Sequence, residues 1–274
     1  MASNQEQWDA LLYPGTHTLR NLPGIRDAEE WDFLESQLGA VRLQEIPLIG
    51  FVRETIADEI RAYHHHIFQD CYEWAGRFRT FNMSKENALT GEPSMFCPAD
   101  AIESRLQELD AVRASLDECD FDEQIVMLAY IHSELNEIHP FREGNGRTTR
   151  ELMTRLSARY DINLDWTDAH AAQLYASQLS MSGDQLDSTP WITLYQQIAS
   201  QAQWEDTEPQ DFFDALTGAE ELRDTEADNG LSILDVLDLS PVGTDVPEFD
   251  PHYHAQQNSA LDNIAATDSQ PREL

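Results

Sequence analysis

Residues 122–160 read DEQIVMLAYIHSELNEIHPFREGNGRTTRELMTRLSARY. Apolar residues recur at three- and four-residue spacing from 122 to 138 and again from 147 to 160, which predicts two amphipathic helices. Pro140 ends the first helix, because the residue before a proline disfavours the α region. The stretch therefore predicts two helices joined by a tight loop, with His139 exposed where the first helix ends.

The loop between the two helices carries the residues of an anion-binding site. Gly144 and Gly146 permit backbone turns that side chains forbid, and Asn145 tolerates the left-handed region. Successive backbone N–H groups can then converge on one anion, where the second helix also directs its N–H groups and the positive end of its dipole. Arg147 and Arg150 are three residues apart and can grip one polyphosphate. The loop therefore predicts a phosphate cradle.

Two further side chains of the loop suit chemistry on a bound nucleotide. Glu143 supplies one carboxylate, and Mg²⁺ is usually held by one or two protein oxygens together with substrate phosphates and water. His139 is then the natural proton acceptor. The loop is not a Walker P-loop, because no Gly-Lys-Ser/Thr follows, and it is not a dinucleotide fingerprint, because no strand precedes it.

The rest of the chain reads as mostly helical, with apolar spacing that predicts further helices at 51–70, 99–115 and 189–203. Apolar and polar residues alternate from 76 to 83, and turn residues from 87 to 93 precede a short apolar run at 95–97. This pattern predicts one β-hairpin in an otherwise α-helical protein.

The loop sequence HPFREGNGRTTR (139–150) resembles the signature of Fic-domain proteins, HxFx(D/E)GNGRxxR, and matches it at every specified position. The upstream segment HHHIFQDCYEWAGRFRTFNMSK (64–85) resembles the family's entry into a β-hairpin flap. The resemblance covers about residues 30–204. It implies a mainly α fold, with a Fic-type helical core and one β-hairpin flap. It also implies transfer of AMP from ATP to a hydroxyl side chain of another protein.

The resemblance also implies a role for each residue of the motif. His139 is the general base for the target hydroxyl, Phe141 supports the loop from the core, and Glu143 binds the Mg²⁺ that bridges the α- and β-phosphates. The phosphate-binding residues that it implies are Gly144, Asn145, Gly146, Arg147 and Arg150. The flap residues expected to dock the target by strand addition are Arg79, Thr80, Phe81, Asn82, Met83, Ser84 and Lys85.

Composition limits the other function classes. The 51 acidic and 17 basic residues give a net charge of −34, which disfavours general binding to nucleic acid or anionic membranes. No apolar stretch reaches the roughly 18 residues of a membrane span. The three cysteines are too few for a disulfide framework, which favours a reducing cytoplasm.

The charge also suggests a division of the chain into an N-terminal segment (1–30), a Fic domain (31–204) and an acidic C-terminal tail (205–274). The tail holds 18 acidic and 2 basic residues among Pro, Gly and short apolar runs, so we expect it to be disordered or partly helical.

His64, His65 and His66 point about 100° apart on a helix and cannot form a metal site. For His132, packing is favoured over a role beside the loop.

The sequence leaves alternatives open for how the protein is inhibited and for which reaction it catalyses. Many Fic proteins carry an inhibitory helix with the pattern (S/T)xxxE(G/N), whose glutamate pairs with the arginine matching Arg150. Only partial matches exist, at 55–59, 133–137 and 217–221, each lacking the final Gly or Asn. A toxin-like enzyme restrained by a separate small antitoxin is therefore favoured, with inhibition by the tail as runner-up.

The alternatives to AMP transfer are transfer of another phosphate-containing group and nucleotide or partner binding without turnover.

Overall fold

A computed structural model describes residues 4–49, 53–183 and 185–202 of the chain. Within them the protein is mainly α-helical, as expected, with short strands that form two small sheets. The helices are α1 (Asn4–Ala10), α2 (Ala28–Ile49), α3 (Ile56–Phe68), α4 (Ile102–Ser115), α5 (Phe121–Ile138), α6 (Asn145–Ala158), α7 (His170–Ser180) and α8 (Thr189–Ile198). The strands are β1 (Ser84–Glu86), β2 (Pro93–Met95), β3 (Ile162–Leu164) and β4 (Ala199–Gln201).

Helix α5 carries the core and leads into the loop. It begins with a capping box, in which the Asp120 side chain accepts from the Glu123 backbone N–H and the Glu123 side chain accepts in return, satisfying two N–H groups that would otherwise lack a partner. Its predicted apolar stripe is confirmed as fully or almost fully buried: Ile125, Leu128, Ile131, Leu135 and Ile138. Helix α5 packs against α4, α6 and α8, and α3 packs against α2, α4 and α6. The loop therefore begins at the end of a helix that packs against several other helices.

The β-hairpin exists, but its first strand was predicted in the wrong place. Strand β1 pairs antiparallel with β2, with Lys85 opposite Ser94, whereas residues 76–83 form no strand. Their alternation is real, because Arg79, Phe81 and Met83 are buried while the residues between them are exposed. The backbone of this segment bonds to the loop instead: the Arg79 N–H donates to the Pro140 carbonyl at 2.9 Å. The alternation of apolar and polar residues from 76 to 83 therefore shows which side chains are buried, and it does not show that the backbone pairs as a strand.

Other parts of the helical prediction also need correction. The last helix ends at Ile198 and not at 203, because the chain continues as β4, which pairs with β3 in a second sheet that the sequence pattern did not reveal. Helices α1, α2 and α7 were not predicted. In α2 the apolar residues are spread around the helix and give no clear stripe, so periodicity alone could not detect it.

The first described residues pack onto the helical core. Leu19 is buried in the main core cluster, and the Leu22 N–H donates to the Cys71 carbonyl at 2.8 Å. The tail from 205, including the partial inhibitory match at 217–221, lies outside the described residues. In the described part of the chain, no helix is both long and apolar enough to cross a membrane.

Candidate active site

Phe141 and Asn145 clamp the loop between α5 and α6. The Phe141 N–H donates to Asn145 Oδ1 and Asn145 Nδ2 donates to the Phe141 carbonyl, both at 2.9 Å. The Phe141 ring is fully buried. Because the amide satisfies both backbone groups of one buried residue, the turn keeps its shape without solvent.

His64 supports the same loop from α3. Its ring stacks on Phe141 with centroids 3.8 Å apart. The Gly76 N–H donates to Nδ1 at 2.8 Å, so the ring hydrogen lies on Nε2 and is donated to the Glu143 carbonyl at 3.0 Å. Burial lowers the pKa of His64 to about 3, so the imidazole stays neutral at physiological pH. This histidine is a core residue, as the helical spacing of the three histidines indicated.

Gly144 has no tolerance for a side chain. Its φ is 78°, in the left-handed region, and an added Cβ would lie 2.2 Å from Phe68 Cε2. It is also the N-cap of α6 and offers no side-chain acceptor to the first turn. A helix N-terminus without a capping side chain leaves its first N–H groups available to an anion.

His139 ends α5 in a left-handed conformation, with φ 46° and ψ 62°. The expectation that it is exposed was wrong, because packing against Phe96 leaves the residue half-buried. Its ring stacks on Phe96 with centroids 3.9 Å apart. Burial, with the positive charges of Lys85 and Arg79, lowers the pKa of His139 to about 3, although a hydrogen bond to the Asn136 backbone opposes that shift. A neutral ring with one nitrogen donating to a backbone group has its other nitrogen as a proton acceptor.

Arg79 holds the end of α5, whereas the sequence assigned it to the target-docking flap. It is buried, and its guanidinium donates to the carbonyls of His139 at 2.8 Å, Ile138 at 3.0 Å and Phe81 at 2.8 Å. A buried cation at a helix C-terminus satisfies carbonyls that lack an intrahelical partner. Arg79 therefore orients His139 through its backbone.

The other six predicted flap residues occupy different environments. Thr80 donates to Gln7 on α1, and Asn82 accepts from the Ala99 N–H. Phe81 is buried and packs edge-on against Trp8. The three remaining residues line the cavity beside the loop: Met83, Ser84 and Lys85.

The cavity beside the loop has a volume of about 440 Å³, within the usual range of ligand pockets. It is lined by every predicted catalytic, metal and phosphate-binding residue of the loop: His139, Glu143, Gly144, Asn145, Gly146, Arg147 and Arg150. Asn136 from α5 and Ser177 from α7 form another part of its wall. The fold thus brings the predicted cradle and the predicted base onto one cavity.

Glu143 is the carboxylate of this cavity. Its Oε1 accepts from the Gly144 N–H at 2.9 Å, and its Oε2 is 4.0 Å from Arg142 Nη1. No group of three or more possible metal-ligating side chains occurs in the described part of the chain. A single partly exposed carboxylate beside a phosphate cradle fits Mg²⁺ that arrives with a nucleotide, since phosphates and water complete its coordination.

Arg147 of the loop pairs with a glutamate from another helix. Arg147 forms an ion pair with Glu35 on α2 at 2.9 Å. The two described glutamates of the partial inhibitory matches are engaged elsewhere: Glu59 pairs with Arg159 and Glu137 with Arg105. Neither of these contacts is the pairing with Arg150 that an inhibitory helix would make.

Several residues around the site were not identified from the sequence pattern. Glu35 and Trp8 lie far from the loop in the chain, and the Arg142 guanidinium lies 3.8 Å from the centre of the Trp8 ring. His132 stacks on Trp191 and bonds to the Tyr195 hydroxyl, and it also lines the cavity. No local sequence signal could have shown these contacts, because each partner comes from a different helix.

Comparison with known proteins decides the family. The Fic/DOC family model matches residues 55–157. A probable protein adenylyltransferase, y4lH of Sinorhizobium fredii, is 36% identical over 181 residues, which cover 64% of this chain and 90% of that relative. The chain belongs to the Fic/DOC family.

Other Fic proteins agree with this assignment. The protein adenylyltransferase VbhT of Bartonella schoenbuchensis is 33% identical over 161 residues, 58% of this chain and 32% of VbhT, so the chain spans about a third of that protein. Two solved Fic structures show the same fold, each with a TM-score of 0.62. One is a Bartonella quintana Fic domain with bound ADP (22% identity, 71% of this chain and 96% of that one). The other is BepC of Bartonella tribocorum with bound AMPPNP (21%, 71% and 98%).

Proposed function

We propose that this protein is an adenylyltransferase that moves AMP from ATP to a hydroxyl side chain of a target protein and releases pyrophosphate. The observation that carries the proposal is the single cavity shared by His139, Glu143 and the N-terminus of α6. The named activity of the relatives y4lH and VbhT supports the same reaction.

In this mechanism the hydroxyl oxygen attacks the α-phosphorus in line with the leaving pyrophosphate. His139 takes the hydroxyl proton, because its ring is neutral and Arg79 orients its backbone. General-base catalysis of this kind contributes roughly 10² to 10⁴-fold. The α6 N-terminus, Arg147 and Arg150 hold the phosphates, so most of the rate enhancement comes from positioning and charge stabilisation.

Glu143 is the residue that would hold Mg²⁺. The bound ion would neutralise phosphate charge and help to orient the pyrophosphate leaving group. Glu143 is suited to this because its carboxylate is already oriented by the Gly144 N–H and faces the cavity.

A flap formed by β1 and β2 would place the target. An extended target segment can add to a strand edge through main-chain hydrogen bonds, a mode that tolerates varied sequence. Ser84 and Lys85 of β1 line the cavity, so a segment aligned on this strand would bring its hydroxyl towards His139.

Inhibition is proposed to come from a separate small antitoxin protein in a reducing cytoplasm. The engagement of Glu59 and Glu137 by other arginines supports an inhibitor from outside the described fold. The unpaired thiols of Cys71, Cys97 and Cys119 suit a reducing compartment.

Replacing His139 by Ala tests the proposed function. Wild-type and variant chains are incubated with Mg-ATP and a lysate, and proteins that gain the mass of one AMP are identified by mass spectrometry. The variant is expected to lose transfer and to keep Mg-ATP binding, because the base acts on the incoming hydroxyl. Near-normal AMP transfer by the variant would refute the catalytic assignment, and a different added mass would indicate another phosphate-containing group.

A further inference from the structure

A glutamate on helix α2, Glu35, binds the guanidinium of Arg147. Arg147 Nη2 donates to Glu35 Oε1 at 3.0 Å and to Oε2 at 2.9 Å. The same guanidinium lies over the Phe68 ring, 4.6 Å from its centre. Arg147 also lines the nucleotide cavity. One cation of the cradle is therefore held by a helix that precedes the family-matched segment 55–157.

Glu35 is itself held in place. It is 6% exposed, and its Oε1 accepts a hydrogen bond from the Tyr72 hydroxyl at 3.1 Å. That hydroxyl accepts in turn from Trp31 Nε1 at 3.3 Å. Burial raises the pKa of the Glu35 carboxyl, and the positive charge of Arg147 opposes that rise. A buried carboxylate with this set of partners keeps one orientation, since any other would leave its charge uncompensated.

Gly39 leaves room for the arginine on the same face of α2. Residues four apart on a helix share a face, so Gly39 lies one turn beyond Glu35. A Cβ at this position would be 3.4 Å from Arg147 Nη1. The Glu35 carboxylate on one turn and Gly39 on the next therefore both border the guanidinium, with space for little more than a Cβ beside Nη1.

We infer that Glu35 is a positioning residue, which holds Arg147 at the cavity wall so that its guanidinium is ready to receive the phosphates of ATP. This inference rests on the proposed function and adds a residue that the loop motif does not contain. An arginine fixed before binding loses less side-chain freedom when the nucleotide arrives. In this inference Glu35 acts through Arg147, and this dependence makes the inference testable.

The test is a double-mutant cycle on the full-length chain, read by calorimetric titration with Mg-ATP. Glu35→Gln is expected to weaken Mg-ATP binding about tenfold, the scale of one charge-assisted hydrogen bond. In an Arg147→Ala background, the same Glu35→Gln change is expected to have no further effect on Mg-ATP affinity. Gly39→Val keeps the carboxylate, places a branched side chain beside Nη1, and is expected to weaken binding as well.

Two matched variants separate positioning from general stability. Tyr72→Phe removes one hydrogen bond from Glu35 without touching Arg147, and a smaller loss of Mg-ATP affinity is expected. Glu59 is another buried carboxylate paired with an arginine, Arg159. Glu59→Gln is expected to lower the thermal midpoint and leave Mg-ATP affinity unchanged.

Three results would overturn the inference: unchanged or tighter Mg-ATP binding by Glu35→Gln, an equal loss in the Arg147→Ala background, or the same loss in Glu59→Gln. Failure of the proposed function would look different. In that case the wild-type chain binds Mg-ATP and the Glu35 cycle can be completed, but no protein gains AMP. A wild-type chain with no Mg-ATP binding would refute both.

Discussion

The imidazole of His64 accepts a hydrogen bond from the Gly76 N–H and donates one to the Glu143 carbonyl. A protonated ring could not accept from Gly76, so the loop depends on the neutral form. Burial supplies that form by holding the pKa of His64 at about 3. The residue that supports the carbonyl of the proposed metal ligand therefore lies 79 positions before it in the chain.

Glu143→Ala tests the proposed Mg²⁺ role at the residue scale. Loss of the carboxylate is expected to weaken ATP binding about tenfold when Mg²⁺ is present, because one charge-assisted contact is lost. ATP binding in the presence of a chelator is expected to change little. Calorimetric titrations with and without Mg²⁺ measure both affinities.

The matched control for this prediction is Glu151→Ala. Glu151 lies on α6 and pairs with Arg155 four residues later, so its loss removes one negative charge at a distance from the cavity. Equal Mg-ATP affinity in the wild type and in Glu143→Ala would contradict the assignment of Glu143.

At the scale of elements, the flap is tied at its tip to α7. Asn87 Nδ2 donates to the Gln178 carbonyl, and the Ala88 N–H donates to Gln178 Oε1, both at 2.8 Å. The Ser94 hydroxyl donates to the Met181 carbonyl at 3.1 Å. The turn of the hairpin and its strand β2 are thus anchored to the C-terminal end of α7, which suits a strand that must present a fixed edge.

Gln178→Ala is expected to loosen the flap and slow AMP transfer to target proteins several-fold, since a side-chain hydrogen bond contributes about 1 kcal/mol. Affinity for Mg-ATP is expected to remain near the wild-type value, because Gln178 does not line the nucleotide cavity. Gln197→Ala, an exposed glutamine on α8, serves as control. A parallel loss of Mg-ATP affinity in Gln178→Ala would show that the hairpin serves the nucleotide and not the target.

At the scale of the whole molecule, buried histidines link stability to pH. His64 and His132 are at most 2% exposed, and burial lowers the pKa of each to about 3, against about 6.5 in an unfolded chain. Below pH 6.5 the unfolded chain therefore binds protons that the folded chain does not. Their contribution to stability is complete above pH 6.5 and is lost as the pH falls towards 3.

Lowering the pH from 7.5 to 5.5 is expected to reduce the free energy of unfolding by about 1 kcal/mol for each of these two histidines. Urea unfolding at both pH values measures the change. His132→Gln removes one of the two groups and is expected to show a pH-dependent loss smaller by that amount, while the carboxylates contribute equally to both chains. An identical pH dependence in the variant would show that His132 is protonated in the folded state.

The acidic tail from 205 is expected to have no effect on intrinsic activity. Its composition disfavours stable helix packing, and the partial inhibitory match at 217–221 ends in Leu222 where the pattern needs Gly or Asn. A chain truncated after Gln203 is therefore expected to modify itself with AMP at the wild-type rate. A several-fold rise on truncation, reproduced in a full-length Glu220→Ala, Glu221→Ala chain, would establish inhibition by the tail.

Local patterns in the chain were sufficient for much of the site. The α5 stripe, the stop at Pro140 and the loop glycines depend on neighbouring residues, so helix spacing and backbone freedom predicted them correctly. The same local rules misplaced the first flap strand, because alternation from 76 to 83 records which side chains face the core and cannot identify the bonding partner of the backbone.

By itself the sequence determined the helix–loop–helix unit, its family and the residues proposed to hold the phosphates, since all of these depend on local patterns within residues 122–160. The tertiary structure alone decided that Arg79 braces His139, that His64 supports Glu143 and that Glu35 holds Arg147. These contacts join residues 60, 79 and 112 positions apart. Such pairs form only when separate helices pack, and packing depends on the shape of the whole core and not on any short stretch of chain.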